Sequence, residues 1–187
     1  MNKIESQTEF LDQLIQNCNL CELTKFETNV KFGKMTGFGT GKKYFMIGQN
    51  PSNRRNNSFG GHGILPDFTF SNTPEGQIAR CFKEVDLSWD DFYVTNLVKC
   101  STPENEKPNE DTLNKCTSTY LAQEYFAVGC PDRVICLGEY VHEFIKQNSV
   151  VPKYSKIYRM FHPSYVNRTP EVFDEWVEQF KRMKEEK

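Results

Sequence analysis

The amino-acid sequence predicts an α/β fold, a three-layer α/β/α sandwich with a central four-stranded parallel sheet. Four short runs rich in β-branched and aromatic residues have the length of strands, and segments with helical periodicity alternate with them. Strands that alternate with helices favour a parallel sheet covered on both faces. Polar motifs follow three of the four runs, at the carboxyl ends where such sheets bind their ligands.

The predicted strands are Tyr44–Gly48, Phe92–Thr95, Arg133–Leu137 and Lys156–Phe161. Helical periodicity is found near residues 5–17, 74–86, 109–127, 138–147 and 170–185. The last helix begins Thr-Pro-Glu, so Thr169 is predicted to cap it and Pro170 to occupy its first turn. The sequence contains no internal repeat and no linker rich in glycine, serine or proline, and we expect a single domain over residues 1–187.

The composition is that of a folded, soluble protein. Hydrophobic residues make up 37% of the chain and charged residues 26%. The formal net charge is -2, so any contact with nucleic acid would come from local basic patches. The N-terminal segment has no apolar signal core, and no run approaches the ~20 apolar residues of a membrane span. We therefore expect a cytoplasmic or otherwise intracellular protein that has no membrane partner.

The seven cysteines are an odd number and a poor disulfide framework for a reducing compartment. Cys18 and Cys21 form a Cys-x-x-Cys pair, whereas Cys100 and Cys116 lie far downstream. A zinc ribbon normally offers two close pairs, and this pattern suits a cluster held by four thiolates from different elements. Cysteines are also common in hydrophobic cores, so the spacing alone leaves core packing open.

Polar motifs follow the first, second and fourth predicted strands. The segment Gly48–Ser52 (GQNPS) follows the first strand, Asn96 the second, and His162–Ser164 (HPS) the fourth. Taken singly, each has an ordinary explanation as a turn, a strand cap or a structural histidine. Their common place at the carboxyl edge of the predicted sheet indicates a binding site there.

A glycine-rich loop and several basic residues flank these motifs. Phe59 lies in the loop sequence SFGG, where an aromatic side chain either fills the core or stacks on a nucleic-acid base. Arg54, Arg55 and Arg168 are close in sequence to the motifs, where they either contact phosphates or are simply solvated.

Taken in order, these residues resemble the family 4 uracil-DNA glycosylases, which are iron–sulfur proteins, over about residues 14–182. The Cys18-x-x-Cys21 stretch is similar to the family's N-terminal cluster-binding segment, here residues 14–33. GQNPS stands where the family has Gly-Glu-Ala-Pro-Gly, and SFGG where it has Pro-Phe-Val-Gly. The segment 94–100 (VTNLVKC) is similar to the family's strand with the substrate asparagine and the third cluster cysteine, and HPS closes the series.

The resemblance implies a monofunctional glycosylase of base-excision DNA repair, acting as a monomer. It would flip uracil out of single- or double-stranded DNA and hydrolyse the N-glycosidic bond, leaving an abasic site. It also implies a structural 4Fe-4S cluster on Cys18, Cys21, Cys100 and Cys116. The implied catalytic residues are His162, Gln49 and Asn50. The implied substrate contacts are Gly48, Phe59, Asn96 and Ser164, and the implied DNA contacts are Ser52, Arg54, Arg55, Tyr165 and Arg168.

The chain departs from the family pattern in two places: it has Gln49-Asn50 where the family has Glu-Ala, and the segment after Phe59 fits the pattern only loosely, with a short insertion. An amide cannot take a proton as a carboxylate can, so the expected role is to position water. Two other interpretations stay open at this point. One is a glycosylase-fold DNA-binding or replication accessory protein with weak or no catalysis, and the other is a zinc-stabilised binding module.

Overall fold

A computed structural model describes residues 3–25, 43–51, 74–153 and 155–186 of the chain. Within these ranges four parallel strands form one sheet in the order β2-β1-β3-β4. The strands are β1 (Tyr44–Gly48), β2 (Phe92–Asn96), β3 (Arg133–Leu137) and β4 (Lys156–Met160). The predicted α/β class is confirmed. The bounds of β1 and β3 agree with the prediction, whereas β2 includes Asn96 and β4 ends one residue early.

Helices cover both faces of this sheet. They are α1 (Lys3–Gln16), α2 (Pro74–Glu84), α3 (Glu110–Cys116), α4 (Ala122–Ala127), α5 (Glu139–Asn148), α6 (Pro163–Arg168) and α7 (Phe173–Glu185). One core contains Tyr44 and Met46 together with side chains of α2, α6 and α7. The other contains Phe45 and Ile47 together with side chains of α1, α3, α4 and α5. Because successive strand residues point to opposite faces, β1 supplies both cores, as the predicted three layers require.

The helices differ from the predictions in three places. The predicted helix near 109–127 is interrupted by a π-helical turn at Thr117–Leu121. Helix α6 was not predicted, because its six residues are too few to show a helical period. Thr169 is the N-cap residue and Pro170 begins the helical segment, as predicted, but the segment opens as a 3-10 turn, Pro170–Val172, before α7, and the Thr169 side chain makes no capping hydrogen bond.

The order of the strands determines where a ligand can bind. The chain passes from β1 to β2 on one side and then to β3 on the other, so the direction of winding reverses between β1 and β3. In open parallel sheets the binding crevice lies outside the carboxyl ends of the strands at such a reversal. None of the helices in the described ranges is both long enough and apolar enough to cross a membrane.

Candidate active site at the carboxyl edge of the sheet

Asn96 is the last residue of β2 and is buried beside the end of β1. It is the register partner of Gly48, whose carbonyl accepts a hydrogen bond of 2.9 Å from the N–H of Leu97. A Cβ atom built on Gly48 would overlap Oδ1 of Asn96. The missing side chain at Gly48 is therefore what leaves room for the carboxamide of Asn96.

The turn after β1 is held by its own amide side chains. Nε2 of Gln49 donates to Oδ1 of Asn50 at 2.8 Å. Nδ2 of Asn50 donates to the carbonyl of Pro51 at 2.9 Å and to Oγ1 of Thr102 at 3.3 Å. The N–H of Val98 donates to the carbonyl of Gln49 at 3.0 Å. These bonds fix the turn against the segment that follows β2, and the carboxamide of Asn50 is engaged through both its oxygen and its nitrogen.

His162 lies between β4 and α6 and caps α6 with its ring. The main-chain N–H of Ser164 donates to Nδ1 of His162 at 3.1 Å. A ring nitrogen that accepts a hydrogen bond carries no proton, so the proton of the neutral ring is on Nε2. Burial, and to a smaller extent the charge of Arg168, lowers the pKa of His162 to about 4. His162 is therefore a neutral imidazole at physiological pH, and its Nε2–H is a donor.

Helix α6 presents two of the predicted DNA-contacting side chains. Tyr165 is 41% exposed and its ring meets the ring of Phe161 edge-on, with 5.5 Å between centroids. Arg168 is exposed in the last turn of α6. Four other predicted site residues lie outside the described ranges, and their roles stay predictions: Ser52, Arg54, Arg55 and Phe59.

The four predicted cluster cysteines belong to the same region of the fold. Cys100 and Cys116 are buried in the core beneath α1, α3, α4 and α5, and Cys18 and Cys21 pack against that core. The N–H of Lys99 donates to Sγ of Cys116 at 3.3 Å. Burial raises the pKa of the Cys116 thiol to about 12. An uncoordinated thiol would stay protonated there, whereas coordination to a metal deprotonates a thiol.

The N-terminal segment is tied to this cysteine region by polar contacts. Nδ2 of Asn109 donates to Oε1 of Glu22 at 2.7 Å, which joins the segment to the start of α3. The pKa of Tyr120 is raised by burial and by a side-chain hydrogen bond with Cys18. All seven cysteines are within the described ranges, and none of them forms a disulfide.

The spacing of these sulfur atoms bears on which metal group they could hold. In the described ranges, the only group of three or more potential ligands within 4.8 Å of one another is Glu139, His142 and Glu143. Three thiolates bound to one zinc ion would lie about 3.8 Å apart, given the Zn–S distance and tetrahedral geometry. No three cysteine sulfurs are as close as a single zinc ion requires.

A buried ion pair behind β2 was not predicted from the sequence. Nζ of Lys99 lies 2.5 Å from Oε2 of Glu124, and both side chains are 1% exposed. The signal was present in the sequence, since Lys99 interrupts the apolar run Leu97–Cys100 and Glu124 is followed by two aromatic residues. Charged residues are almost never fully buried unless paired, so each of these positions predicts a partner.

Comparisons with known proteins agree with this architecture. The sequence profile described as the Uracil DNA glycosylase superfamily matches residues 36–182. The chain is 24% identical to the Type-4 uracil-DNA glycosylase of Archaeoglobus fulgidus, over 95% of this chain and 93% of that protein. It is 26% identical to the Type-4 uracil-DNA glycosylase of Saccharolobus solfataricus, over 91% and 82%. The crystal structure of wild-type Pedobacter heparinus SMUG2 shares the fold, with a TM-score of 0.59 and 10% identity over 96% and 99% of the two chains.

Proposed function

Because the chain belongs to the uracil-DNA glycosylase superfamily, we propose that it is a DNA-repair enzyme that excises uracil. It would flip the nucleotide out of the DNA, hydrolyse the N-glycosidic bond and leave an abasic site. The observation that carries the proposal is the state of His162, a partly buried neutral imidazole whose Nδ1 accepts a hydrogen bond from the N–H of Ser164. We further propose that the protein acts as a monomer of one domain.

His162 would stabilise the departing base. Cleavage of the glycosidic bond leaves negative charge on the uracil ring, including O2. The Nε2–H of a neutral imidazole can donate to that oxygen as the charge develops, without transferring a proton. A preorganised donor of this kind is worth roughly 3–4 kcal/mol of transition-state stabilisation.

Asn96 would select the base. Its Oδ1 can accept from N3–H of uracil while its Nδ2 donates to O4, and cytosine presents the opposite pattern at these positions. A buried amide rejects the wrong base strongly, because a mismatch leaves polar groups without partners. Burial of Asn96 against Gly48 supports this role, since it limits the orientations of the carboxamide.

Gln49 and Asn50 would hold the attacking water. An amide cannot act as a strong base, so their contribution would be to position the nucleophile. Both Oδ1 and Nδ2 of Asn50 make hydrogen bonds within the protein, to Gln49 and to Pro51 and Thr102. We therefore propose that Asn50 chiefly fixes the turn and that Gln49 makes the main contact with water.

Contacts with DNA would come from helix α6 and from the turn after β1. The exposed ring of Tyr165 could fill the space that the flipped nucleotide leaves, and Arg168 could contact a phosphate. The sequence predicts that Ser52, Arg54 and Arg55 contact the backbone and that Phe59 stacks on the flipped base.

Cys18, Cys21, Cys100 and Cys116 would hold a 4Fe-4S cluster. Their shared core and the N–H bond to Sγ of Cys116 suit thiolate ligands. A bound cluster would join the N-terminal segment, α3 and the segment after β2. Hydrolysis of an N-glycosidic bond is not a redox reaction, so the role of the cluster would be structural.

The direct test is excision from a uracil-containing oligonucleotide, single-stranded or with a G·U pair, followed by alkali that cleaves at abasic sites. The protein should produce cleavage at uracil and none at cytosine in the matched strand. His162→Ala is the control, since it should remove most of the activity while leaving DNA binding. Tight DNA binding without excision on every uracil substrate would favour the non-catalytic accessory protein instead.

A further inference from the structure

We propose that the buried pair Lys99 and Glu124 is a positioning device that holds Asn96 in the orientation that selects uracil. The inference rests on the proposed function, and it assigns a role to two residues that do not touch the substrate. Neither residue lines the proposed binding site, since both are buried behind β2.

The ammonium group of Lys99 has a full set of partners. Nζ lies 2.5 Å from Oε2 of Glu124, 2.6 Å from Oγ1 of Thr95 and 2.6 Å from the main-chain oxygen of Asn96. An ammonium group has three hydrogens to donate, and these three acceptors account for all of them. One of the three is the carbonyl of the residue proposed to read the base.

Glu124 completes the network from helix α4. Its carboxylate accepts from the hydroxyl of Tyr93 at 3.2 Å and from Oγ1 of Thr95 at 3.0 Å. Side chains alternate along a strand, so Tyr93 and Thr95 point to one face of β2 and Asn96 points to the other. The network therefore fixes β2 from behind the face on which Asn96 presents its carboxamide.

The position of β2 in the sheet explains why such an anchor is useful. In the described sheet β2 is an edge strand, so only β1 pairs with it. Its last residue is Asn96, and past it two main-chain bonds, from Leu97 to Gly48 and from Val98 to Gln49, continue the pairing with β1. Lys99 adds a charge-assisted bond at this point, and its own N–H is bonded to Sγ of Cys116.

Stability alone does not account for a buried ion pair. Desolvation of two charges offsets most of their attraction, and apolar residues of similar volume are often as stabilising or more so. The ion pair is instead suited to holding the end of β2, and with it Asn96, in one position. Base readout through one carboxamide depends on its orientation, and a misplacement of about 1 Å can cost about a hundredfold in rate.

The test separates position from stability with a double variant, Lys99→Met with Glu124→Leu, which replaces the ion pair by apolar side chains. Three quantities are measured: thermal unfolding, single-turnover excision of uracil, and affinity for oligonucleotides containing uncleavable 2′-fluoro-deoxyuridine or 2′-fluoro-deoxycytidine. We expect a folded protein whose preference for uracil over cytosine falls about tenfold or more, together with the excision rate.

Tyr125→Phe is the matched control. The hydroxyl of Tyr125 is buried and donates to the carbonyl of Pro131 at 2.8 Å, just before the start of β3, which does not pair with β2. Its loss should lower the unfolding temperature and leave the base preference unchanged. If the double variant does not fold, Glu124→Gln keeps the shape of the side chain and removes its charge, and the same fall in preference is expected.

The outcomes distinguish this inference from the proposed function. A folded double variant, or Glu124→Gln in its place, that keeps the wild-type preference overturns the inference, while uracil excision by the wild type leaves the proposed function standing. A wild-type protein that neither excises uracil nor prefers it in binding overturns both.

Discussion

Gly48 and Asn96 occupy one space at the end of two neighbouring strands: a Cβ atom on Gly48 would overlap Oδ1 of Asn96 and lie 3.5 Å from its Cγ. The two residues are register partners at the last rung of the β1–β2 ladder. Asn96 is buried and its main-chain oxygen is bonded to Lys99, so it cannot simply move away. The glycine is therefore a structural condition for the proposed readout of the base.

Gly48→Ala should impair both stability and base selection. The added methyl group must separate the strands or rotate Asn96, and overpacking of this kind costs about 1–3 kcal/mol. We expect a lower unfolding temperature and at least about a tenfold slower excision of uracil, since misplaced groups lose rate steeply. Gly129→Ala is the control. An alanine is strained at the φ of 92° found there, but no atom lies within 4 Å of the added Cβ. Equal excision by the two variants would contradict this account of Gly48.

Asn96→Asp should shift the preference from uracil towards cytosine. The site is buried, which favours the neutral form of a carboxylic acid, and a protonated carboxyl can reverse the donor and acceptor pattern of an amide. Excision is measured on paired oligonucleotides that differ only in the target base. Asn96→Ala should lose uracil excision altogether, and if it works as fast as the wild type, the assignment of Asn96 is wrong.

Replacing Gln49 by alanine and replacing Asn50 by alanine should have different effects on rate and stability. Gln49→Ala should lower the single-turnover rate with little change in DNA affinity, because it removes the proposed contact with water and, within the turn, only the bond to Oδ1 of Asn50 and a long one to Glu106. Asn50→Ala should lower the rate and also the unfolding temperature, since it releases the bonds to Pro51 and Thr102. Thr102→Val removes one of those bonds and also the bond from its hydroxyl to the carbonyl of Glu106, so it should lower the unfolding temperature as well. Unchanged rates in both alanine variants would exclude this turn from water binding.

The sequence predicted the parts of the site that lie directly after strands. Gln49, Asn50, Asn96 and His162 follow apolar runs whose bounds are readable from local pattern, and the parallel sheet brings their ends to one edge. The predictions failed where a cap is made by an unusual side chain or where the determinant is distant in sequence. The cap of α6 depends on a ring nitrogen of His162, and Lys99 finds Glu124 twenty-five positions away.

The cysteines should divide into two classes when replaced by serine. Anaerobically purified protein should be brown and contain about four iron atoms per chain, and substitution of Cys18, Cys21, Cys100 or Cys116 should remove both colour and iron. Cys81 is the control, because it is buried in the core on the opposite face of the sheet. Its replacement should cost stability and keep the iron. Colourless protein that holds stoichiometric zinc would overturn the cluster assignment.

The pH dependence of His162 follows from the sign of its pKa change. Burial and Arg168 lower its pKa to about 4, below the ordinary value of 6.5, so the neutral form persists in the folded protein far into the acid range. Excision that needs only the neutral ring should stay level through pH 6.5 and fall as the pH approaches 4. The unfolded chain takes up the proton first, so the contribution to stability is present above pH 6.5 and is lost as the pH falls towards 4.

His162→Ala tests the same group in the transition state. The donor matters mainly when charge has developed on the base, so the single-turnover rate should fall by about a hundredfold or more while affinity for an uncleavable uracil analogue changes little. His142→Ala, at the other histidine in the described ranges, should leave the rate unchanged. Nitrogen chemical shifts of the wild-type ring should show the proton on Nε2 at neutral pH, as the bond from Ser164 to Nδ1 requires. A sharp loss of activity around pH 6.5, or an equal rate in His162→Ala, would remove this imidazole from the mechanism.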